Sequence, residues 1–136
     1  MGRELERLSI KHSIQSSQPD LTVTAEPAAL GQIIHNLLIN AMQALQEVRP
    51  SERTLTLTLS SIKPHTAQLS IQDTGLGIEN DVVAHIFKPF FTTRPGTLGL
   101  GLSLCEKLAG SMGGNLTAYN RVPRGAKFCL NLQLAP

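Results

Sequence analysis

The stretch AQLSIQDTGLG, residues 67–77, places an acid and two glycines directly after a strand pattern. Apolar and polar residues alternate up to Asp73, as in a strand with one buried face. The alternation sets Asp73 on the same face as Ile71, where an unpaired charge is costly. Gly75 and Gly77 then allow the backbone to approach a ligand closely. The stretch predicts either a ligand-binding carboxylate or a turn in which Asp73 caps the next helix.

The composition is that of an ordinary globular domain. Of 136 residues, 41% are hydrophobic and 16% charged, which is enough apolar material for one core. The net charge of +2 comes from scattered basic residues, so we expect no nucleic-acid partner. No apolar run reaches the roughly 20 residues that span a bilayer, so we expect no direct membrane contact by this chain. Cys105 and Cys129 lack metal-ligand spacing, which favours reduced thiols in the cytoplasm. A longer parent protein could still be anchored in the inner membrane.

A long helical pattern occupies PAALGQIIHNLLINAMQALQ, residues 27–46. Its apolar residues recur at helical spacing over four turns, and Glu26 followed by Pro27 suits a helix start. The segment contains no Asp, Glu, Lys or Arg. Because a solvated helix face is normally charged, we predict that both sides of this helix are covered.

The polar side of this helix is built from amides. Asn36 and Asn40 lie four residues apart, and Gln32 and Gln43 continue the same stripe. Asparagine is a poor helix former, so its repetition favours a function. An amide oxygen is a hard, neutral ligand that suits a Mg²⁺ already carrying phosphate oxygens and water.

The remaining periodicities predict the fold class. Period-two alternation predicts strands at residues 54–60 and 127–134, and helical spacing predicts a helix at residues 102–112. A shorter helix is predicted between Glu79 and Phe87. We therefore predict an α/β two-layer sandwich, with a mixed, largely antiparallel sheet of about five strands covered on one face by about three helices.

The chain is predicted to contain one main domain. Residues 1–24 are interpreted as an N-terminal residual segment and first strand of an excised fragment, because they begin in the middle of a charged pattern. Residues 25–136 are predicted to form the functional domain.

A third motif, IFKPFFTTRPGTLGLGLSL, occupies residues 86–104. Gly99 and Gly101 open the predicted helix, where free amides and the positive end of the helix dipole favour phosphate. The residues before these glycines are typical of a loop, which excludes a Rossmann fingerprint, and no Walker-type run occurs anywhere. Phosphate would therefore be held in another way.

Together, the three segments resemble the ATP-binding catalytic domain of sensor histidine kinases. This domain belongs to the Bergerat-fold superfamily that also holds gyrase B, the Hsp90 chaperones and MutL. HNLLINAMQAL resembles the N box, DTGLG the first glycine box, IFKPFFTT the F box and GTLGLGLSL the second glycine box. The motifs stand in the family's order and at its spacing, over residues 25–134.

The resemblance implies ATP and Mg²⁺ as ligands and assigns a role to each motif. Asp73 would accept a hydrogen bond from the adenine amino group, and Gly75 and Gly77 would shape that wall. Asn40 would bind Mg²⁺, with Asn36 near the phosphates. The other residues expected to contact the nucleotide follow from the same motifs: Gln43, Ile78, Phe87, Thr92, Thr93, Gly99, Leu100, Gly101 and Leu102.

The expected catalytic residues are Asn36, Asn40 and Arg94. Arg94 lies in the lid, residues 92–98, at a place where the family often has lysine. Either side chain could meet a phosphate, although arginine offers a planar fork and not a point charge.

The resemblance also implies the reaction and its partners. The γ-phosphate would pass to a histidine on a dimerisation domain of the same parent protein, and a response regulator would act downstream. His12 is not assigned this role because it lacks the acidic neighbour and proline usual around the acceptor. His35 is interpreted as an ordinary packed or capping residue.

Two alternatives stay open at this point. An ATP hydrolase of the gyrase, Hsp90 or MutL type carries a glutamate base where this chain has Asn36, whose amide cannot take a proton. A regulatory domain could instead bind a nucleotide or a partner without transferring phosphate.

Overall fold

The protein folds as one sheet with helices packed on its apolar face. The computed structural model describes residues 2–16, 26–62, 65–83, 85–88 and 101–134. The helices are α1 (Gly2–Arg7), α2 (Pro27–Leu45), α3 (Asn80–Val83) and α4 (Gly101–Ser111), with a 3-10 turn at Pro50–Glu52. The strands are β1 (Lys11–Ser16), β2 (Thr54–Ile62), β3 (Thr66–Asp73), β4 (Asn115–Asn120) and β5 (Ala126–Gln133).

The five strands are arranged in the order β1-β2-β3-β5-β4. The pair β1–β2 is parallel, whereas β2–β3, β3–β5 and β4–β5 are antiparallel. The predicted mixed, largely antiparallel sheet is therefore confirmed. β3 lies in the middle of the sheet, so its last residue, Asp73, stands at the end of the central strand.

The core forms between one face of the sheet and the apolar side of α2 and α4. Ile71 of β3 and Leu130 of β5 are each 1% exposed. They belong to one buried cluster with Ile33 and Leu37 of α2 and Cys105 of α4. Burial of such side chains is the main favourable term in folding. The predicted amphipathic helices thus bury the side that their periodicity indicated.

Local signals place the ends of the helices well. Glu26 caps α2, since its carboxylate accepts hydrogen bonds from the backbone amides of Ala28 at 3.1 Å and Ala29 at 2.7 Å. α4, described over Gly101–Ser111, overlaps the helix predicted at residues 102–112. The short helix predicted after Glu79 is a single turn, α3. Within the described residues, no helix combines the length and hydropathy needed to cross a bilayer.

The N-terminal segment packs on the same core. Leu5 and Ile10 are each 6% exposed and join the buried cluster. Arg53, at the start of β2, ties this segment to the rest of the domain. Its guanidinium donates to the carbonyls of Leu8 at 2.6 Å, Val48 at 3.1 Å and Gln46 at 3.4 Å. One planar fork of donors therefore joins the start of β2 to the turn after α2 and to Leu8, which lies 45 residues away in sequence.

We expect Arg53→Ala to lower the free energy of unfolding by about 2 to 3 kcal/mol, because it leaves three carbonyls without their charged donor. Urea unfolding followed by circular dichroism measures this. Arg49→Ala, at an exposed position nearby, is the matched control and should change stability by less than about 0.5 kcal/mol. Equal effects of the two substitutions would show that the Arg53 hydrogen bonds contribute no net stability.

Candidate functional site

A cavity of about 520 Å³ opens beside the end of the central strand. Four of the residues that line it are polar: Asn40, Glu47, Asp73 and Glu79. The rest of the lining is mainly apolar and includes Leu76, Ile78, Val82, Ile86, Leu102 and Phe128. A concave, mostly apolar site of this size with a few polar groups is typical of small-molecule binding.

Helix α2 contributes one stripe to the cavity. Asn40 and Ala44 are four residues apart, so they lie on the same side of the helix, and Glu47 follows in the turn after the helix ends. The opposite side carries the buried Met42 and Leu45. Ala44 is small, which leaves room between the helix and the strand end. Asn40 lines the cavity, whereas Gln32 on the same stripe is exposed, so the polar side of α2 is covered only in part.

Asp73 is the buried acid of the site, with 3% of its surface exposed. It is the last residue of β3, and its Oδ1 accepts a hydrogen bond from the backbone amide of Gly75 at 2.9 Å. This local bond holds the carboxylate in one orientation beside the cavity. An ionised carboxylate only accepts hydrogen bonds, so this wall favours a ligand that presents a donor.

Gly75 and Gly77, the two glycines after Asp73, are each required for a different structural reason. A Cβ at Gly75 would lie 2.9 Å from the carbonyl oxygen of Ala44, so the loop contacts the backbone of α2 at this point. Gly77 has a φ of +85°, a conformation that side chains rarely adopt, and it lines the cavity. The loop therefore needs both glycines to run between α2 and the site.

Thr74 fixes the start of this loop to β2. Its hydroxyl donates to the carbonyl of Glu52 and accepts from the backbone amide of Thr54 at 2.9 Å. The ring of Phe87 packs edge to face against that of Phe128, which lines the cavity, with centroids 6.3 Å apart. Phe87 therefore supports an aromatic residue that lines the site.

Asn36 lies one turn before Asn40 but faces helix α4. Its Oδ1 accepts from Gln32 Nε2 at 3.1 Å. Its side chain also forms a hydrogen bond with the thiol of Cys105, which is fully buried. Burial raises the pKa of this thiol above its ordinary value, and the bond to Asn36 opposes the rise. The thiol is therefore neutral near pH 7 and acts as a packing group.

The structure brings five of the predicted site residues into the cavity lining: Asn40, Asp73, Gly77, Ile78 and Leu102. Five others are described but lie outside that lining: Asn36, Gln43, Gly75, Phe87 and Gly101. The remaining five lie outside the described residues: Thr92, Thr93, Arg94, Gly99 and Leu100.

Several lining residues were missed by the sequence analysis. Ala44 could have been found by extending the helical spacing forward from Asn40, whereas Glu47 lies past the end of α2. Ala126 and Phe128 had no local signal, because their place depends on the register between strands. Phe128 pairs with Ile71 across β3 and β5, which sets it on the core side of the sheet near Asp73.

Sequence comparisons identify relatives of this chain. A family model described as histidine kinase-, DNA gyrase B-, and HSP90-like ATPase matches residues 25–136. The C4-dicarboxylate transport sensor protein DctB of Pseudomonas aeruginosa is 40% identical over 114 residues, 82% of this chain and 18% of that protein. The sensor protein TdiS of Thauera aromatica is 35% identical over 104 residues, 76% of this chain and 19% of that protein. The chain thus spans about a fifth of the length of these relatives.

Solved structures match the whole architecture. The catalytic domain of histidine kinase ThkA aligns with a TM-score of 0.87 and 27% identity, over 99% of this chain and 87% of that one. Full-length ShkA in complex with AMPPNP aligns with a TM-score of 0.86 and 29% identity, over 99% of this chain and 28% of that one. ThkA in complex with the response regulator protein TrrA aligns with a TM-score of 0.82 and 26% identity, over 99% and 37%.

The family model covers the cavity, the strand end with Asp73 and the helix with Asn40. The chain therefore belongs to the histidine kinase-, DNA gyrase B- and HSP90-like ATPase family, and it has the Bergerat fold of the catalytic domains of sensor histidine kinases.

Proposed function

We propose that this domain binds Mg²⁺-ATP in the cavity and presents the γ-phosphate to a histidine on a separate dimerisation domain of the same parent protein. One observation carries the proposal: α2 and β3 bring Asn40 and Asp73 to a single cavity with apolar walls. The buried acceptor, Asp73, suits the base of a nucleotide. The amide oxygen of Asn40 suits the metal ion at its phosphates.

Asp73 is proposed to bind the base. Its carboxylate is an acceptor, and the amino group of adenine is a donor at the edge of a flat, apolar ring. Ile78 and Phe128 line the same cavity and offer apolar surface to the faces of such a ring. Guanine carries a carbonyl oxygen at the corresponding position, which would face the carboxylate unfavourably. The site should therefore prefer ATP to GTP.

The start of helix α4 is proposed to hold the phosphates. Leu102 lines the cavity and Gly101 is the first described residue of α4, so this end of the described helix lies next to the site. The amides at a helix N-terminus and its dipole favour anions. Gly99, Leu100, Thr92, Thr93 and Arg94 are proposed to complete this end on the strength of their motifs alone.

The residues present fit a Mg²⁺ that arrives with the nucleotide. In the part of the chain that the structure describes, no group of three or more His, Cys, Asp or Glu residues could hold a metal by itself. Mg²⁺ normally takes one or two protein ligands together with phosphate oxygens and water, and Asn40 offers such an oxygen. When bound, the ion would neutralise charge on the phosphates.

Phosphoryl transfer needs positioning and charge stabilisation more than covalent chemistry from the protein. Asp73 would fix the base and α4 the phosphates, so the γ-phosphate would point in one direction. Asn36 stands where a hydrolase carries its base, and its amide is hydrogen-bonded to Gln32 and Cys105. Because an amide cannot accept a proton from water, transfer to an external imidazole is favoured over hydrolysis.

The partners follow from the reaction. The relatives are sensor proteins, and one of the matching structures is a histidine kinase with its response regulator. We therefore propose that a response regulator acts downstream of the parent protein. Two buried, free thiols suit a reducing, cytoplasmic location for this domain.

Asp73→Asn should weaken ATP binding about ten- to a hundredfold, since it removes a charge-assisted hydrogen bond to the adenine amino group. Isothermal titration calorimetry with ATP and GTP measures the effect. Glu52→Gln is the matched control, because it neutralises a carboxylate that pairs with Arg124 outside the cavity lining. Similar affinities of the wild-type domain for ATP and GTP would exclude the proposed role of Asp73.

Asn40→Ala should leave the affinity for metal-free ADP nearly unchanged and remove most of the gain that Mg²⁺ brings, because the protein ligand of the ion is lost. Titrations of ADP with Mg²⁺ and with EDTA separate the two quantities. Gln46→Ala, at the exposed end of the same helix, should keep the full gain. If Asn40→Ala lowers the affinity for ADP equally with Mg²⁺ and with EDTA, Asn40 shapes the cavity and does not bind the metal.

The isolated domain should hold γ-labelled ATP nearly intact, with little release of phosphate and no acid-labile label on the chain. Adding the parent's dimerisation domain in trans should produce labelling of a histidine there, at a low rate because the covalent link that raises effective concentration is missing. Rapid release of phosphate by this domain alone would favour an ATP hydrolase, and label on His12 or His35 would contradict the assignment of the acceptor.

A further inference from the structure

The side chain of Asn120 binds both backbone polar groups of Ile78. Its Oδ1 accepts from the Ile78 amide at 2.7 Å, and its Nδ2 donates to the Ile78 carbonyl. Ile78 lines the cavity, whereas Asn120 is the last residue of β4, 42 residues further along the chain. We call these two bonds the Asn120–Ile78 amide pair. They give Ile78 the donor and acceptor that a neighbouring strand would otherwise supply.

The amide pair holds the part of the loop that forms one wall of the cavity. Leu76 and Gly77 precede Ile78 and also line the cavity. Leu76 is 61% exposed and so adds little packing to this wall, whereas Ile78 packs partly against the core. A Cβ at Gly77 would lie 3.1 Å from Asn120 Oδ1. The glycine therefore leaves the space that the Asn120 amide needs.

The next residue, Arg121, holds the other end of the same loop. Its guanidinium donates to the carbonyl of Asp73 at 3.3 Å and to Gln72 Oε1 at 3.1 Å. Two consecutive residues at the end of β4 therefore contact the loop where it leaves β3 and where it reaches Ile78. The distance between Asp73 and the Ile78 wall is thus set from one place in the chain.

We propose that Asn120 is a positioning residue for nucleotide binding, which fixes the Leu76–Ile78 wall at the separation from Asp73 that a purine ring fills. The inference rests on the proposed binding of ATP in this cavity. A wall that is already held needs no ordering when the ligand arrives, so less affinity is lost to conformational entropy. Because Asn120 is exposed, its loss should affect this wall far more than the stability of the whole domain.

The test compares Asn120→Ala with Asn115→Ala on the same strand. Asn115 is also exposed, and its Oδ1 accepts from Asn131 Nδ2 at 2.7 Å, so both substitutions delete an exposed side-chain amide bond. We expect Asn120→Ala to weaken ATP binding about three- to tenfold, the effect of one or two net hydrogen bonds, and Asn115→Ala to leave it unchanged. Asn120→Asp should weaken it at least as much, because it loses the donor and brings a carboxylate to the Ile78 carbonyl.

Two further readouts separate positioning from general destabilisation. Hydrogen exchange followed by NMR should show a faster-exchanging Ile78 amide in Asn120→Ala without nucleotide, with the amides of β5 unchanged. In a double-mutant cycle with Asp73→Asn, the effect of Asn120→Ala on ATP affinity should shrink, since a base that no longer binds the carboxylate gains less from a fixed wall.

The outcomes distinguish this inference from the proposed function. If Asp73→Asn weakens ATP binding but Asn120→Ala behaves like Asn115→Ala, the positioning role is wrong and the nucleotide site stands. Faster exchange at Ile78 with unchanged affinity, or additive effects in the cycle, also overturns the positioning role. If the wild-type domain binds no ATP, the proposed function fails and this inference fails with it.

Discussion

A carboxylate buried at the end of the central strand is the feature on which the site depends. A buried charge is costly unless it has hydrogen-bond donors, and the Gly75 amide supplies one to Asp73. The loop that carries this donor is held on three sides: by Thr74 to β2, by the contact of Gly75 with α2 and by the Asn120–Ile78 amide pair to β4. These contacts with β2, α2 and β4 therefore hold the Asp73 carboxylate in a buried position.

Helix α2 shows why a polar helix side can lack charged residues. Its apolar side enters the core through Ile33 and Leu37. Its polar side has two different neighbours, since Asn36 contacts Cys105 of α4 and Asn40 reaches the cavity. An amide can satisfy its hydrogen bonds in both environments without the desolvation cost of a full charge. The same composition thus serves packing at one turn and ligand chemistry at the next.

Much of the architecture was predictable because the signals are local. Alternation along residues 67–73 predicted β3 and the inward orientation of Asp73, which is 3% exposed. Helical spacing predicted α2, and Glu26 with Pro27 predicted its start. Errors at the ends were small: β2 continues to Ile62, two residues past the predicted end, because its antiparallel pairing with β3 extends that far. The apolar residues of a strand recur every two residues and those of a helix about every 3.6, so both patterns can be recognised in the sequence without a structure.

The sequence by itself determined α2, α4, β2, β3 and β5, the type of sheet and the two polar residues, Asp73 and Asn40, that share the cavity. Only the tertiary structure decided which other side chains meet them. Phe128 enters the site through the register of β5 on β3, and Asn120 reaches Ile78 across 42 residues. Arg53 likewise reaches Leu8 across 45 residues. Such contacts have no sequence period, because they arise when strand order, register and turn geometry bring distant segments together. In the sequence Asn120 is an ordinary residue at the end of a strand, and only the structure shows its hydrogen bonds to Ile78.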